Sequence, residues 1–234
     1  RLAAEGARVA ALEETDRLRT TLVQSVSHDL RTPLTAIKAA ASALQTGHPP
    51  EEARAAMLRD IEAESDRLAH LVTSLLDLSR IEAGALRLQR DRAPVDDLVF
   101  AALAAARIGA AEQDVEVDVP EGLPLLNVDE TLIRQVLANL IQNAAGHGDG
   151  PIRVDARAMD GTVRLRVIDH GPGIPEAERR RLFEPYTRLR PGTRGDGAGL
   201  ALAISRGFVE AHGGTIGVEP TPGGGATFTV ALPA

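Results

Sequence analysis

The sequence feature that most constrains the fold is a short break at residues 46–50, which read Thr-Gly-His-Pro-Pro. From Arg1 to about Gln45 the chain is rich in Ala, Leu, Glu and Arg and has no proline before Pro33, which predicts one long helix. A second helix is predicted from Glu51 to about Ala83, because apolar residues recur there at spacings of three and four. Two long helices joined by so short a turn form a hairpin.

An apolar stripe along the second helix indicates what the hairpin packs against. A single stripe on a two-helix hairpin remains half uncovered, and a second copy of the chain would close it into a four-helix bundle. We therefore predict a homodimer, with packing against the chain's own second domain as the alternative. The stripe comprises Met57, Ile61, Leu68, Leu71, Leu75 and Leu78, and Glu64 interrupts one slot.

Residues 25–34, which read Ser-Val-Ser-His-Asp-Leu-Arg-Thr-Pro-Leu, place a histidine beside a carboxylate on the first helix. On an ideal helix His28 points away from an apolar arc of roughly 120°. Thr32 shares the face of the histidine and Asp29 lies next to it, so three groups that can move protons or orient water meet on the wet side. We interpret His28 as a phosphoryl acceptor, and the alternative is an incidental surface histidine. The arc comprises Leu22, Val26, Leu30, Pro33, Leu34, Ile37 and Leu44.

Charge and composition restrict the possible partners and compartments. The chain has 26 basic and 33 acidic residues, a net charge of -7, and no basic run, so duplex DNA is not expected as a direct partner. It has no cysteine, which excludes disulfides and thiolate metal sites. No apolar run approaches the roughly 18 residues that span a bilayer, and no signal peptide is evident. Because Arg1 opens within a helical pattern, we expect a fragment of a longer protein.

The composition changes near Gly84, where we place a domain boundary. From there short alternating strands and amphipathic helices mix, which predicts an α+β fold with a two-layer α/β sandwich after the helical hairpin. The turn Asp160-Gly161 joins two of these strands, and Pro222-Gly223-Gly224-Gly225 separates the last two. The expected strands are 85–90, 115–119, 152–157, 162–168 and the closing pair, and the expected helices are 94–112, 129–145, 176–183 and 199–212.

The helix predicted from Asp129 carries two asparagines, Asn139 and Asn143, at the edge of its apolar arc. An amide oxygen there can bind Mg²⁺, which prefers oxygen ligands, keeps several waters and is usually completed by substrate phosphates. The alternative is a pair of exposed asparagines on a helix. The sequence thus supplies a candidate magnesium ligand only if a phosphate site lies nearby.

Residues 169–175, Asp-His-Gly-Pro-Gly-Ile-Pro, follow an alternating strand. The carboxylate of Asp169 can accept a hydrogen bond from an exocyclic amine, while Gly171 and Gly173 let the backbone pass close to a flat ring. The alternative is an ordinary turn.

A third glycine-rich segment, Gly195-Asp196-Gly197-Ala198-Gly199-Leu200, leads into a predicted helix. Glycines before a helix start allow backbone N–H groups and the helix dipole to face an anion, normally a phosphate. The segment is not a P-loop, since no Gly-Lys-Ser/Thr follows.

The order of these motifs, with Phe183-Glu184-Pro185 before the last, resembles the sensor histidine kinases of two-component signalling. The resemblance covers nearly the whole chain and implies two parts. Residues 1–84 would be the dimerisation and phosphoacceptor hairpin, with 1–20 as a signalling helix extension, and 85–234 an ATP-binding domain related to those of gyrase and Hsp90. Residues 27–34 and 75–84 are similar to potassium- or osmosensor-type kinases.

The resemblance also implies a role for each motif. His28 would take the γ-phosphoryl group of ATP, Asp29 would orient or deprotonate the imidazole, and Thr32 would position water in a phosphatase reaction. Asn143 would bind Mg²⁺, with Asn139 in support, and Asp169 would bind the adenine amine beside Gly171 and Gly173. The implied lid and phosphate contacts are Phe183, Arg188, Gly197, Gly199 and Leu200.

Two departures from the family pattern bear on this expectation. Gly146 and His147 stand where the family usually has lysine and tyrosine, so one phosphate counter-charge is missing, and Ala201 replaces a glycine. With the short lid, Gly146 and Ala201 leave as the alternative a non-catalytic dimeric signalling scaffold with a degenerate ATP site. As a kinase, the chain is expected to serve a response regulator, and to be the cytoplasmic portion of a protein anchored in a bacterial inner membrane.

Overall fold

A computed structural model describes residues 26–47, 49–106, 114–148, 150–187 and 199–234. The chain divides into two compact units, one ending at Thr73 and the other running from Ser74 to Ala234. The expected signalling extension, residues 1–20, lies outside the described residues. No helix in the described ranges combines the length and the apolar character needed to cross a bilayer.

The first unit contains the predicted hairpin. Helix α1 occupies residues 26–46 and α2 occupies Glu51–Glu82, which confirms both predicted helix ends to within a residue. The apolar stripe on α2 is half-covered as expected, because Leu78 is buried and the other stripe residues are half-buried. The last turns of α2, from Ser74 onward, belong to the second unit.

Gly84 ends α2 because its backbone adopts a left-handed conformation (φ 60°) that side chains disfavour. Its N–H donates to the carbonyl of Ile81, and the N–H of Ala85 donates to that of Arg80. This pattern is a Schellman C-cap, which satisfies two carbonyls at the helix end. The functional boundary predicted here stays a prediction.

The second unit is a mixed sheet covered on one face by helices, as the α/β sandwich prediction requires. The five-stranded sheet has the order β2-β4-β5-β7-β6, with β2 and β4 parallel and the other pairs antiparallel. A separate two-stranded antiparallel pair is formed by β1 and β3. The helices are α3 (Val95–Ala105), α4 (Glu130–His147), α5 (Glu176–Arg179) and α6 (Ala201–Ala211), and the strands are β1 (Asp91–Ala93), β2 (Val115–Asp118), β3 (Leu126–Val128), β4 (Ile152–Met159), β5 (Thr162–Ile168), β6 (Thr215–Pro220) and β7 (Ala226–Pro233).

The core lies between the sheet and α3, α4 and α6. Alternate residues of the central strands are buried, as expected for a sheet with one covered face. Helix α4 packs on β4 and β5, and its neighbours α3 and α6 lie on either side of it. Buried side chains on the covered face include Val154, Val163, Leu165, Val167, Phe228 and Val230. Helix α4 therefore holds its polar edge at a fixed position on the sheet.

Three sequence-based expectations were wrong in detail. Residues 85–90 form no strand, and the N–H of Gln89 donates to the carboxylate of Asp129 instead of to a neighbouring strand. The short strands β1 and β3 pair just beyond this segment. The helix expected to reach Phe183 ends at Arg179 and is followed by turns. The helix expected over 94–112 ends at Ala105, while residues 107–113 lie outside the described part.

Candidate functional site

His28 lies on α1 with its ring in water, because 80% of its side chain is exposed. The ring Nδ1 is 3.5 Å from Oδ1 of Asp29, whose side chain is 18% exposed. A carboxylate beside one ring nitrogen favours the proton on that nitrogen and leaves a lone pair on the other. In that tautomer the lone pair of Nε2 is left for another partner.

Thr32 lies one turn after His28, on the same side of α1. Its hydroxyl donates to the backbone carbonyl of His28 at 3.3 Å, a bond often made by threonines within helices. The hydroxyl oxygen can still accept a hydrogen bond. His28, Asp29 and Thr32 are therefore neighbours, as the periodicity predicted.

In the second unit, α4 starts at a residue held from several directions. Asp129 is the N-cap, and its carboxylate accepts a hydrogen bond from the N–H of Leu132 at 3.3 Å. It also accepts one from Gln89, and its own N–H donates to Nε2 of His212 at 2.9 Å. These contacts fix the start of the helix that carries the two asparagines.

Asn139 and Asn143 lie on α4 one turn apart, and both are half-buried. Nδ2 of Asn139 donates to the hydroxyl of Ser205 on α6 at 3.4 Å. Within the described residues, no three histidine, cysteine, aspartate or glutamate side chains are grouped as a metal site. The amide oxygens are thus the chain's candidate ligands for a cation that keeps most of its water or phosphate ligands.

Asp169 follows the last residue of β5 and is 6% exposed. Its Oδ1 accepts hydrogen bonds from the N–H groups of Gly171 (2.9 Å) and Ala226 (3.1 Å). Its Oδ2 accepts none from the residues that the structure describes. A buried carboxylate with one oxygen held by backbone donors can present the other oxygen to a ligand.

A second buried carboxylate, Asp155, differs from Asp169 because a cation binds both of its oxygens. It is 1% exposed, and Arg166 binds both of its oxygens at 2.8 and 2.7 Å. This hydrogen bond raises the pKa of the Arg166 guanidinium. Asp155 is therefore fully paired with a cation and has a structural role in the sheet, whereas Asp169 has a donor-free oxygen.

Close backbone contacts require glycine around Asp169. A Cβ on Gly171 would collide with the carbonyl of His147 at the end of α4, and one on Gly225 would collide with the carbonyl of Asp169. Gly173 has a φ of 70°, which favours glycine. The loop after β5, the end of α4 and the turn before β7 therefore meet at Asp169.

Gly199 lies against the backbone of Tyr186 and Thr187. The N–H of Tyr186 donates to the carbonyl of Gly199 at 2.9 Å. A Cβ on Gly199 would lie 2.9 Å from the carbonyl oxygen of Thr187. Phe183 is 7% and Leu200 2% exposed, so both act first as anchors of this segment. Arg188 and Gly197 lie outside the described residues.

Sequence reasoning missed two residues that support the site, Ser205 and His212. Both are polar and almost fully buried, at 0% and 3% exposure. A signal was present for Ser205, since it is a lone hydroxyl on the apolar face of α6 among Ile204, Phe208 and Val209. Its hydroxyl donates to the carbonyl of Ala201 within α6, so nothing in the sequence indicates the second partner, Asn139, which is distant along the chain.

Comparisons with known proteins agree with this geometry in both units. A family model described as "His Kinase A (phospho-acceptor) domain" matches residues 18–84. A second, described as "Histidine kinase-, DNA gyrase B-, and HSP90-like ATPase", matches residues 128–234. The first match contains His28, and the second contains Asn139, Asn143 and Asp169.

The chain is similar to curated sensor proteins and to solved kinases. Sensor protein KdpD of Mycobacterium tuberculosis is 41% identical over 243 residues, which are 100% of this chain but 28% of that protein. The structure of Acinetobacter baumannii histidine kinase AdeS has a TM-score of 0.68 and 27% identity, and covers 88% of this chain and 97% of its own. Full-length ShkA, solved in complex with AMPPNP, has a TM-score of 0.67 and 32% identity over 90% of this chain and 45% of its own.

Proposed function

We propose that this chain, which belongs to the sensor histidine kinases of two-component systems, uses ATP to phosphorylate its own His28. The phosphoryl group would then pass to an aspartate of a response regulator. The observation that carries the proposal is Asp169, a buried carboxylate with one oxygen left for a ligand amine. It occurs in the same chain as an exposed histidine paired with a carboxylate.

For the nucleotide, Oδ2 of Asp169 would accept a hydrogen bond from the adenine amine. Gly171 and Gly173 lie where their missing side chains let the backbone pass close to neighbouring segments, which suits a flat base. The family resemblance assigns the lid and the phosphate contacts to the segment from Phe183 to Leu200. These residues are Phe183, Arg188, Gly197, Gly199 and Leu200.

For the metal, we assign Mg²⁺ to Asn143 with Asn139 in support. When bound, Mg²⁺ supplies charge neutralisation to the phosphates of the nucleotide. The donor set fits, because amide oxygens are hard ligands and Mg²⁺ commonly needs few of them from the protein. The rigid start of α4 at Asp129 holds both asparagines in place.

At His28, Nε2 would attack the γ-phosphorus of ATP, a P–N bond would form, and the bond to the β-phosphate oxygen would break to release ADP. Asp29 would hold the proton on Nδ1 and stabilise the positive charge that develops on the ring. Such transfers depend on positioning and charge neutralisation rather than on covalent help from the protein. Thr32 would position a water molecule when the enzyme removes the phosphoryl group from its regulator.

We propose a homodimer whose bundle is formed by residues 1–84, with 1–20 as a signalling extension and 85–234 as the catalytic domain. Three large apolar side chains of α2, Leu58, Val72 and Leu76, remain exposed beside the predicted stripe. A second hairpin would bury them together with the half-covered stripe. A solution mass of one chain by light scattering would contradict the dimer.

Because the chain spans 28% of the KdpD relative, membrane anchoring is proposed only for a segment elsewhere.

An exposed face of α1 suits the response regulator. It comprises Ser27, Leu30, Arg31, Leu34, Thr35 and Lys38, and Leu34 is 55% exposed. At 3.6 residues per turn, this face extends from the edge of the apolar arc, to which Leu30 and Leu34 belong, toward the side of His28. Arg31 and Lys38 flank the exposed Leu34, so a regulator surface with acidic and apolar groups would fit beside the phosphoryl donor. Weaker transfer to a regulator from Arg31→Glu, with the dimer mass unchanged in light scattering, would support this docking.

The scaffold alternative rests on Gly146, His147 and Ala201. In the structure Ala201 is the first residue of α6, in a helical conformation that alanine adopts without strain. Gly146 is exposed in the last turn of α4, and its missing cation would lower ATP affinity without removing the binding groups. The intact hydrogen bonding at Asp169 favours the enzyme.

In the test, the chain is incubated with Mg²⁺ and with ATP labelled in its γ-phosphate. The label that the protein retains is then measured. In Asp169→Asn the amide oxygen would take over the two backbone bonds, so an NH₂ group would face the adenine amine and two donors would oppose each other. We expect ATP affinity to fall at least about tenfold, the cost of one unsatisfied buried group, and the label to be lost. Asp160→Asn, in the exposed turn before β5, is the matched control and should keep both. Full labelling of Asp169→Asn would refute the assignment.

A further inference from the structure

Ser205 is a buried residue whose hydroxyl contacts two helices, and the proposed function gives it no role. It lies on α6, is 0% exposed, and its hydroxyl is 2.7 Å from the carbonyl oxygen of Ala201. The hydroxyl oxygen of Ser205 is also 3.4 Å from Nδ2 of Asn139 on α4. Ser205 is thus the point where a side chain of α6 meets the first of the two asparagines.

The short contact to Ala201 determines what Ser205 can offer to Asn139. A carbonyl oxygen cannot donate, so the single hydroxyl proton must lie between Ser205 and Ala201. Toward Asn139 the hydroxyl can then only accept a hydrogen bond. The atom of the Asn139 amide that faces it must be the NH₂ group, which fixes an orientation that electron density alone leaves ambiguous.

The orientation of the Asn139 amide also determines where its oxygen lies. With Nδ2 turned toward α6, Oδ1 of Asn139 is turned away from it, and this oxygen accepts no hydrogen bond from the residues that the structure describes. Because Ser205 is fully buried, no water can replace its hydroxyl. Loss of the hydroxyl would leave either orientation of the amide possible, and only one presents an oxygen.

We propose that Ser205 is a positioning residue for magnesium binding: it orients the Asn139 amide so that the oxygen, and not the NH₂ group, faces the cation's ligands. This inference rests on the proposed function, since it assumes a Mg²⁺-dependent nucleotide site on α4. It predicts that Ser205 affects the contribution of Mg²⁺ to nucleotide binding rather than nucleotide binding itself.

The experiment measures the affinity of the whole chain for a non-hydrolysable ATP analogue by calorimetry, once with Mg²⁺ and once with a chelator. The ratio of the two affinities is the magnesium effect. In Ser205→Ala we expect this ratio to fall by about three- to tenfold, the range that one lost hydrogen bond to a polar ligand gives, while the affinity in chelator stays within about twofold. Alanine is a good helix former, so α6 should keep its structure.

Two variants serve as controls. Ser205→Thr keeps a hydroxyl that can bond the same carbonyl and should restore the ratio. Thr227→Val removes a buried hydroxyl that is 2.9 Å from Thr221 in the sheet, and should lower the thermal midpoint without changing the ratio.

The measured affinities distinguish a failure of the Ser205 inference from a failure of the proposed function. An unchanged magnesium effect in Ser205→Ala, or an equal loss of affinity with and without Mg²⁺, would overturn the inference while leaving the proposed function standing. A wild-type chain that binds no nucleotide under either condition would overturn the proposed function, and the inference with it.

Discussion

At the scale of single residues, His212 shows how a buried ring can be confined to one protonation state. Its Nε2 accepts from the backbone N–H of Asp129, so its proton must be on Nδ1, which donates to the carbonyl of Phe208 at 2.7 Å. Burial lowers the pKa of the ring, as does the nearby Arg90, while the Phe208 bond and the Asp129 carboxylate oppose the shift. A second proton would break the link to Asp129 and release the start of α4.

This arrangement predicts acid sensitivity with a definite sign. The unfolded chain would bind a proton at His212 near pH 6.5, whereas the folded chain resists it, so the free energy of unfolding should fall as the pH drops below about 6.5 toward the lowered folded pKa. His212→Gln keeps an acceptor for Asp129 but cannot titrate. Chemical denaturation at pH 7.5 and 5.5 should therefore show a smaller pH effect in His212→Gln than in wild type.

The exposed His70 provides the matched control for that measurement. His70→Gln should retain the wild-type pH effect. Equal pH effects in wild type and His212→Gln would show that the ring does not resist protonation in the folded chain.

At the scale of elements, the last turns of α2 pack against other helices of the second unit, to which they belong. Asp77 is 8% and Leu78 9% exposed, and burial raises the pKa of Asp77, against the opposing effects of Arg80 and a hydrogen bond from Gln135 on α4. Ile81 fills the space that Gly207 leaves on α6, since a Cβ on Gly207 would lie 2.6 Å from the Ile81 side chain. The last turns of α2 are therefore packed against α4 and α6.

The contact between Ile81 and Gly207 predicts a substitution whose sign depends on its background. Gly207→Ala adds helix propensity of about 1 kcal/mol, but the methyl group collides with a β-branched side chain, and overpacking costs about 1–3 kcal/mol. We expect a lower thermal midpoint in the wild-type background and a higher one in Ile81→Ala, where the space is vacant. Thermal unfolding of wild type, the two single variants and the double variant tests this. If Gly207→Ala shifted the thermal midpoint in the same direction in both backgrounds, the contact would be ruled out.

How far the sequence predicts these elements depends on where each one gets its stability. The hairpin, α4 and the β4–β5 pair were predicted because helical periodicity, alternation and turn chemistry are local signals. Asp160 and Gly161 both have positive φ, as a tight hairpin turn requires. The strands β1 and β3 have three residues each and exist only through mutual pairing, so no local pattern identifies them.

The candidate site divides in the same way. Motif residues such as His28 and Asp169 could be predicted because their spacing resembles a known family. Ser205 and His212 could not, because each acts through a partner more than 60 positions away in sequence, at 66 and 83 residues respectively. Buried polar groups need partners, but a single sequence does not identify them.

At the scale of the whole molecule, the proposed reaction needs two units with different chemistry. In that proposal the first unit supplies a nucleophilic histidine and a docking face, and the second supplies groups suited to a nucleotide and Mg²⁺. Neither unit is sufficient alone, because the histidine has no phosphoryl donor of its own and the nucleotide site has no acceptor. The central claim is therefore that the phosphoryl group from ATP ends on His28.

Mass-spectrometric mapping of the phosphoryl group after incubation with ATP and Mg²⁺ tests that claim most directly. The account predicts one modified site, His28, with the modification lost in acid and retained in base, absent from His28→Ala and present in His70→Ala, which changes another exposed histidine of the same unit. Modification that persists in His28→Ala, or a chain that binds ATP yet never carries phosphate on His28, would contradict it.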